Sequence, residues 1–245
     1  MTNQALEPVQ FLEWDSKFFG AKIGRVTSRN LTDKEIAKVE NWVSTHRMDC
    51  LYYLADGSKI ESSRVAEANG FFLTDLRMTY DISLHADLVE TEARVGFREA
   101  NEKDLPELMT MAGVYHQNSR FFADEHFPRE KCQRLYELWL QKDFQEENHF
   151  LWIIDVDGHI AGYTSVSMDI NKKSVEIGLV GVHSEYRGQG IGLDLQRHVL
   201  KELWLKGAHE VEVVTQGRNI AAQNLYIKSG YHLKSVDLWF HKWYK

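Results

Sequence analysis

Two stretches of this chain, far apart in sequence, carry the same pattern. Displaced by 160 positions without a gap, Leu51 falls on Val211, Leu54 on Val214, Val65 on Leu225, Gly70 on Gly230, Leu73 on Leu233, Met78 on Leu238 and Tyr80 on Phe240. Each stretch reads as a strand, a helix, a glycine followed by an aromatic residue, and a second strand. A chain built this way must place two copies of one α/β unit and bury the apolar side of both. Its 245 residues, 43% of them hydrophobic, suffice for one large domain or two modest ones.

The copies are unequal. In the second, an apolar strand over Ser174 to Val182 runs into Arg187-Gly188-Gln189-Gly190-Ile191-Gly192. Ile191, Leu195, Val199 and Leu203 then recur every four residues, the spacing of an amphipathic helix that Gly207 ends. Under the same displacement this loop falls on Thr27-Ser28-Arg29-Asn30-Leu31-Thr32, and Tyr226 falls on Ala66. The N-terminal copy keeps the scaffold and lacks the special residues. A division in the acidic stretch Asp87-Leu88-Val89-Glu90-Thr91-Glu92 gives a degenerate unit over 1–92 and a complete one over 93–245.

The other elements of the second unit are legible by period and punctuation. Phe97 onward reads as a strand leading to a helix through Met111, capped by Asn101 or Asp104. A second helix spans Arg129 to Phe144. Strands Phe150 to Val156 and Ile160 to Met168 flank the hairpin turn Asp157-Gly158. Strand Val211 to Thr215, helix Asn219 to Ser229 and strand Val236 to Trp243 complete a mixed α/β arrangement.

A glycine-rich loop between a strand and a helix presents successive backbone N–H groups, and the helix dipole adds to their attraction for a pyrophosphate. Glycines let the backbone approach the phosphates, and Arg187 adds a charge. The loop is neither G-x-x-x-x-G-K-[ST] nor G-x-G-x-x-G, since its third glycine comes one residue early. The formal charge of −7 and a pI near 5.9 speak against a general nucleic-acid binder. Cys50 and Cys132 stand apart without metal-ligand spacing, so neither a zinc site nor a disulfide framework is expected. No apolar run reaches the ~20 residues that span a bilayer, and the N-terminus lacks a signal-peptide pattern, so a cytoplasmic location without membrane attachment is expected.

The spacing Arg187-x-x-Gly190-x-Gly192, between that strand and that helix, resembles motif A of the GNAT N-acetyltransferases, and the likeness extends over 97–245. It implies the acyl-CoA N-acyltransferase fold and acetyl-CoA as cofactor. It further implies that Leu179, Val180, Gly181 and Val182 meet the pantetheine arm by their backbone and that Arg187, Gly188, Gln189, Gly190, Ile191 and Gly192 hold the pyrophosphate. Ala222 would leave room for the arm, Asn219 would bond one of its amides, and Tyr226 would donate a proton to the departing thiolate. A tyrosine, with its pKa near 10, is still protonated at pH 7. Glu176, on the strand before the loop, is the candidate base, although a neutral amine needs none.

Three blocks resemble the TDP-fucosamine acetyltransferase branch of that family, which acetylates the 4-amino group of a nucleotide-linked dideoxy sugar. They are Leu12 to Gly20, Asn118-Ser119-Arg120-Phe121, and Val214 to Asn219 with Tyr226 to Gly230. The resemblance implies a small-molecule amine as partner, with Arg120 meeting a substrate phosphate, and is compatible with a homodimer. Phe122 to Pro128 depart from the branch pattern. Another small amine, a protein N-terminus, or acyl-CoA binding without catalysis stay open as alternatives.

Overall fold

The computed structural model describes residues 7–86 and 96–244. The stretch Asp87 to Glu92, in which the sequence places the division between units, lies outside the described residues. The first unit contributes β1 (Val9–Phe11), α1 (Glu13–Phe19), β2 (Ile23–Val26), α2 (Asp33–His46), β3 (Cys50–Asp56), α3 (Ile60–Ala68) and β4 (Phe72–Ser83). The second contributes β5 (Phe97–Glu99), α4 (Leu105–Tyr115), α5 (Arg120–Ala123), α6 (Arg129–Gln145), β6 (His149–Val156), β7 (His159–Asp169), β8 (Ser174–Val182), α7 (Ile191–Leu205), β9 (Glu210–Gln216), α8 (Ile220–Lys228) and β10 (His232–Trp243).

The repeat holds in three dimensions, because β3, α3 and β4 begin and end 160 positions before β9, α8 and β10. All strands form one ten-stranded sheet in the order β1-β2-β3-β10-β4-β9-β8-β7-β6-β5. The two units have therefore exchanged their last strands: β10 lies between β3 and β4, and β4 lies between β10 and β9. The antiparallel register makes the exchange pseudo-symmetric. Arg77 pairs with Asp237, its own counterpart in the repeat, and on either side Leu76 meets Leu238 and Met78 meets Val236. The flanking pairs Asp56 with Asp237 and Gln216 with Arg77 repeat the relation.

Burial alternates along the strands and assigns the two faces. On one face, Ile191, Leu195, Val199 and Leu203 of α7 pack with Trp152, Ile154, Val211 and Val213, and Ile36, Val39 and Val43 of α2 pack with Leu51, Tyr53 and Phe240. On the other face, α4 and α6 cover Leu151, Ile153 and Tyr163. The same α6 sends Cys132 and Leu135 against Cys50, Tyr52 and Phe19 of the first unit, so one helix spans both halves. Both cysteines are buried and free.

Local chemistry explains why only one unit keeps an open loop. In the first unit the Tyr53 hydroxyl accepts the Leu31 N–H at 3.2 Å and donates to the Arg29 carbonyl at 3.0 Å. Ser28 Oγ accepts the Asn30 N–H, and Glu35 accepts the Thr32 N–H in a capping box. The Arg29 side chain is drawn into an ion pair with buried Asp237. Every donor that could face a ligand at 30–32 has an acceptor within the protein.

Candidate active site

The second unit's loop is built differently. Among the described residues, the backbone N–H groups of Gly188, Gln189, Gly190, Ile191 and Gly192 have no protein acceptor; hydrogen bonding resumes with Leu193 and Asp194, which donate to the Gly190 carbonyl. Gly188 and Gly190 hold φ of 76° and 83°, left-handed values that aim the intervening amides outward without a side-chain penalty. Five unpartnered donors at the start of a 15-residue helix are the kind of donor set to which a phosphate group can bond. Arg187 does not reach over the loop. Its Nε bonds the Val182 carbonyl at 3.2 Å, and its guanidinium lies 4.9 Å from the centre of the Tyr115 ring. Gln189 turns its side chain to the Glu185 carbonyl.

The strand before the loop opens the sheet. β8 and β9 pair in parallel only over Ser174–Ile177 and Glu210–Val213, although both continue further. The register with β7 shifts between Thr164 and Val166, where Ser165 Oγ takes the Leu179 N–H at 2.9 Å. This bulge bends β8 away from β9 and frees one edge of it over residues 178–182. A cavity of about 730 Å³ fills the gap and passes between the two faces of the sheet. Leu179, Val180, Gly181, Val182, Arg187, Gly188, Gly190, Ile191 and Gly192 line it on the loop side, and Asn219, Ala222 and Tyr226 line it from α8. The expected cofactor residues thus converge on one cavity, apart from Gln189.

Tyr226 is buried, with its ring between Tyr80 at 5.9 Å and Tyr231 at 5.7 Å. Burial pushes its hydroxyl above the ordinary phenol range, so it carries its proton across the physiological range. Tyr80 belongs to β4, so the first unit supplies one wall of the tyrosine's pocket. Asn219 is the N-cap of α8 and spends its Oδ1 on the Ala222 N–H at 3.2 Å, leaving its amide nitrogen for a ligand. Gln223 turns out of the cavity to the Gln216 and Gly217 carbonyls.

Two expected residues stand elsewhere. Glu176 is exposed and does not line the cavity, because Val175 and Ile177 face the core and the strand's alternation turns Glu176 outward before the bulge. Arg120 is not among the lining residues either. Its guanidinium is enclosed by Tyr52, Phe121 and Trp239, each ring centre within 4.3 Å or less. Its Nη1 donates to His241 Nε2 at 3.0 Å, which places the imidazole proton on Nδ1, bonded to Asp124 at 2.6 Å. Burial lowers the His241 pKa to about 4 against the pull of Asp124. Burial would raise Asp124, yet the bonds from His241, Trp243 and His126 outweigh it and hold the carboxyl well below its usual range. Arg120 is thus packed among aromatic rings outside the cavity lining, with the neutral His241 as a hydrogen-bond acceptor.

Sequence reasoning missed the opposite wall. Tyr115, His116, Asn118, Tyr136 and Trp139 line the cavity from α4, α6 and the segment between the two helices. Helix α4 runs past Met111 to Tyr115, and that extra turn delivers the first two. Burial raises the Tyr136 hydroxyl to about 12. Behind the wall, Asp75 of β4 is buried beside the turn that follows β9; its Oδ1 accepts the Leu76 N–H and lies 3.8 Å from Arg218 Nε. Burial raises its pKa to about 6 despite Arg218. Among the described residues no group of His, Cys, Asp and Glu could hold a metal ion, and no helix is long and apolar enough to cross a membrane.

Residues 113–231, which include this cavity's loop, helix and tyrosine, match the family model of the acetyltransferase (GNAT) family. The chain contains a GNAT acetyltransferase domain. Along its whole length it is also similar to the dTDP-fucosamine acetyltransferase of Escherichia coli O6:H1, at 27% identity over 249 residues, covering 97% of this chain and 98% of that protein. Among solved structures, a conserved protein of unknown function from Staphylococcus epidermidis superposes with a TM-score of 0.71 at 14% identity, covering 99% of this chain and 94% of that one. A GCN5-related N-acetyltransferase from Sphaerobacter thermophilus gives 0.65 at 18% identity, with coverage of 96% and 75%. Both likenesses concern the fold, and both extend beyond the acetyltransferase domain into the N-terminal unit.

Proposed function

We propose that the chain transfers an acetyl group from acetyl-CoA to the 4-amino group of a nucleotide-linked amino-dideoxy sugar, by direct attack of the amine, with Tyr226 as general acid. The observation that carries this reading is the continuity of the cavity: an unpaired strand edge leads into five unpartnered N–H groups, with a buried, protonated tyrosine on the facing helix. The end-to-end similarity to a dTDP-fucosamine acetyltransferase supports the sugar. Residues 93–245 form the catalytic unit in this reading, and residues 1–92 are its scaffold.

Gly188 to Gly192 would hold the pyrophosphate, the free edge of β8 over Leu179–Val182 would bond the pantetheine arm, and Asn219 and Ala222 would flank it. When bound, acetyl-CoA supplies an activated acetyl thioester. Tyr226 holds a proton at Oη in a desolvated pocket and can deliver it to a thiolate as charge develops there. Besides Glu176, Asp75 is a second candidate base: it is buried behind the acceptor wall, neither carboxylate lines the cavity itself, and a pKa of about 6 leaves Asp75 ionised yet basic at pH 7.

A thiol-release assay with acetyl-CoA and a panel of amines tests the proposal. Turnover of a nucleotide-linked 4-amino-4,6-dideoxy sugar at least a hundredfold more efficient than that of polyamines or peptide N-termini is expected. Turnover of those amines with none of the sugar overturns the substrate; acetyl-CoA binding without any turnover overturns the enzyme.

A further inference from the structure

His116 follows the last residue of α4 and lines the cavity opposite the cofactor loop. Its ring lies flat against Tyr136, with centroids 5.0 Å apart and planes 18° apart. Its Nε2 lies 2.8 Å from the hydroxyl of Tyr163, a residue of β7 with no exposed surface. Among the described residues this imidazole is the only hydrogen-bond partner of the Tyr163 hydroxyl. Among the described residues Nδ1 makes no hydrogen bond, and it is not among the buried unpartnered atoms, so it keeps accessible surface in a residue that lines the cavity.

Counting protons fixes the tautomer. Burial keeps the Tyr163 hydroxyl protonated, and a buried O–H left without an acceptor is costly. Nε2 is its one acceptor, so the tyrosine donates and the imidazole proton resides on Nδ1. Burial also lowers the His116 pKa to about 4, so at pH 7 the ring is neutral, with a single donor.

We infer that His116 presents this Nδ1–H to the acceptor and bonds an oxygen of its sugar ring or hydroxyls, making it a specificity-determining residue. The inference rests on the amino-sugar reading for the identity of that oxygen. A neutral donor in a desolvated aromatic wall suits a neutral oxygen acceptor, while the adjoining faces of Tyr136 and Trp139 suit the C–H surface of a pyranose. A substrate lacking the oxygen leaves the donor unpaired, which is the source of discrimination.

Asparagine and glutamine separate the two ring nitrogens, because an Asn amide nitrogen can occupy the Nδ1 position and a Gln amide nitrogen the Nε2 position. His116→Asn is expected to keep the acceptor KM within about threefold of wild type. His116→Gln and His116→Phe are expected to raise it tenfold or more, with the acetyl-CoA KM unchanged in all three. Equal KM values throughout, or an Asn variant as impaired as the Gln variant, overturn the inference. Long-range proton–nitrogen NMR of the substrate-free protein, with the His116 signals identified by their loss in His116→Asn, supplies an independent arm. A protonated Nδ1 is expected, and a protonated Nε2 overturns the inference whatever the substrate. The kinetic split is read with whichever amine the wild type acetylates, so failure of the sugar alone is distinguishable from failure of His116.

Discussion

Around the cavity, burial drives titratable side chains towards their neutral forms, and the consequences differ with the acid. Tyr226 becomes a more secure proton donor. Tyr226→Phe removes Oη and little volume, so we expect kcat to fall by about 10²–10⁴ with the acetyl-CoA Kd within threefold of wild type by calorimetry. Unchanged kcat removes Tyr226 from the mechanism. Asp75 behaves oppositely, because raising its pKa from 3.8 to about 6 disfavours the charged form that a base requires. Below about pH 6, kcat/KM should fall with the loss of two ionisations, the amine's and that of Asp75, and Asp75→Asn should lower activity about 10²-fold and leave only the amine's slope. The stability effect has a definite sign. A carboxylate whose folded pKa lies above its unfolded value destabilises the fold progressively as pH rises from about 4 through about 6. Asp75→Asn should therefore raise Tm at pH 7 and leave it nearly unchanged at pH 3.5; a Tm lowered at pH 7 would contradict the assignment.

At the scale of elements, the loop and α7 work as one device, since the glycines supply left-handed backbone and the helix supplies orphan donors. Gly190 and Gly207 offer a matched comparison. Their φ values are 83° and 84°, neither would crowd a Cβ closely, and only Gly190 lines the cavity. Gly190→Ala and Gly207→Ala should each cost about 1–2 kcal/mol of stability through the left-handed strain. Only Gly190→Ala should weaken CoA binding, by tenfold or more in calorimetry; equal effects on binding would show that the loop does not hold the phosphate. This device was legible in sequence because its requirements are local: glycine spacing, a preceding apolar strand and a four-residue apolar period. The opposite wall was not, because His116 and Tyr136 reach the cavity, and Asp75 comes to lie behind it, only through tertiary packing. Nothing in their neighbours distinguishes them from core aromatics or a surface carboxylate. The surroundings of Arg120 were equally hidden, as its sequence context gives no sign of the three rings around it or of the His241 imidazole it bonds.

For the whole molecule, the repeat was readable to the residue, and the exchange of strands was not. β4 and β10 carry equivalent patterns, so pairing rules alone allow either strand beside β3 or β9. The arrangement adopted makes each unit depend on the other. Met78, Tyr80 and Ile82 of β4 pack into the core shared with α7 and Tyr226, and Phe240 of β10 packs into that of α2. A chain beginning at Gly96 would lose both neighbours of β10 and one neighbour of β9, exposing both edges of β10, one edge of β9 and the Tyr226 ring. We expect that fragment to aggregate or to lack cooperative unfolding, and to bind CoA only when a fragment of residues 1–86 is co-expressed and inserts β4 between β9 and β10. Circular dichroism, gel filtration and CoA calorimetry on the single and co-expressed fragments read the outcome. A monomeric 96–245 fragment with wild-type CoA affinity would mean that β10 can return to β9 and that the exchange is dispensable for the acetyltransferase domain. The opposite result would mean that the N-terminal unit, which has neither the glycine loop nor a counterpart of Tyr226, is needed because the active site cannot be assembled without its strand.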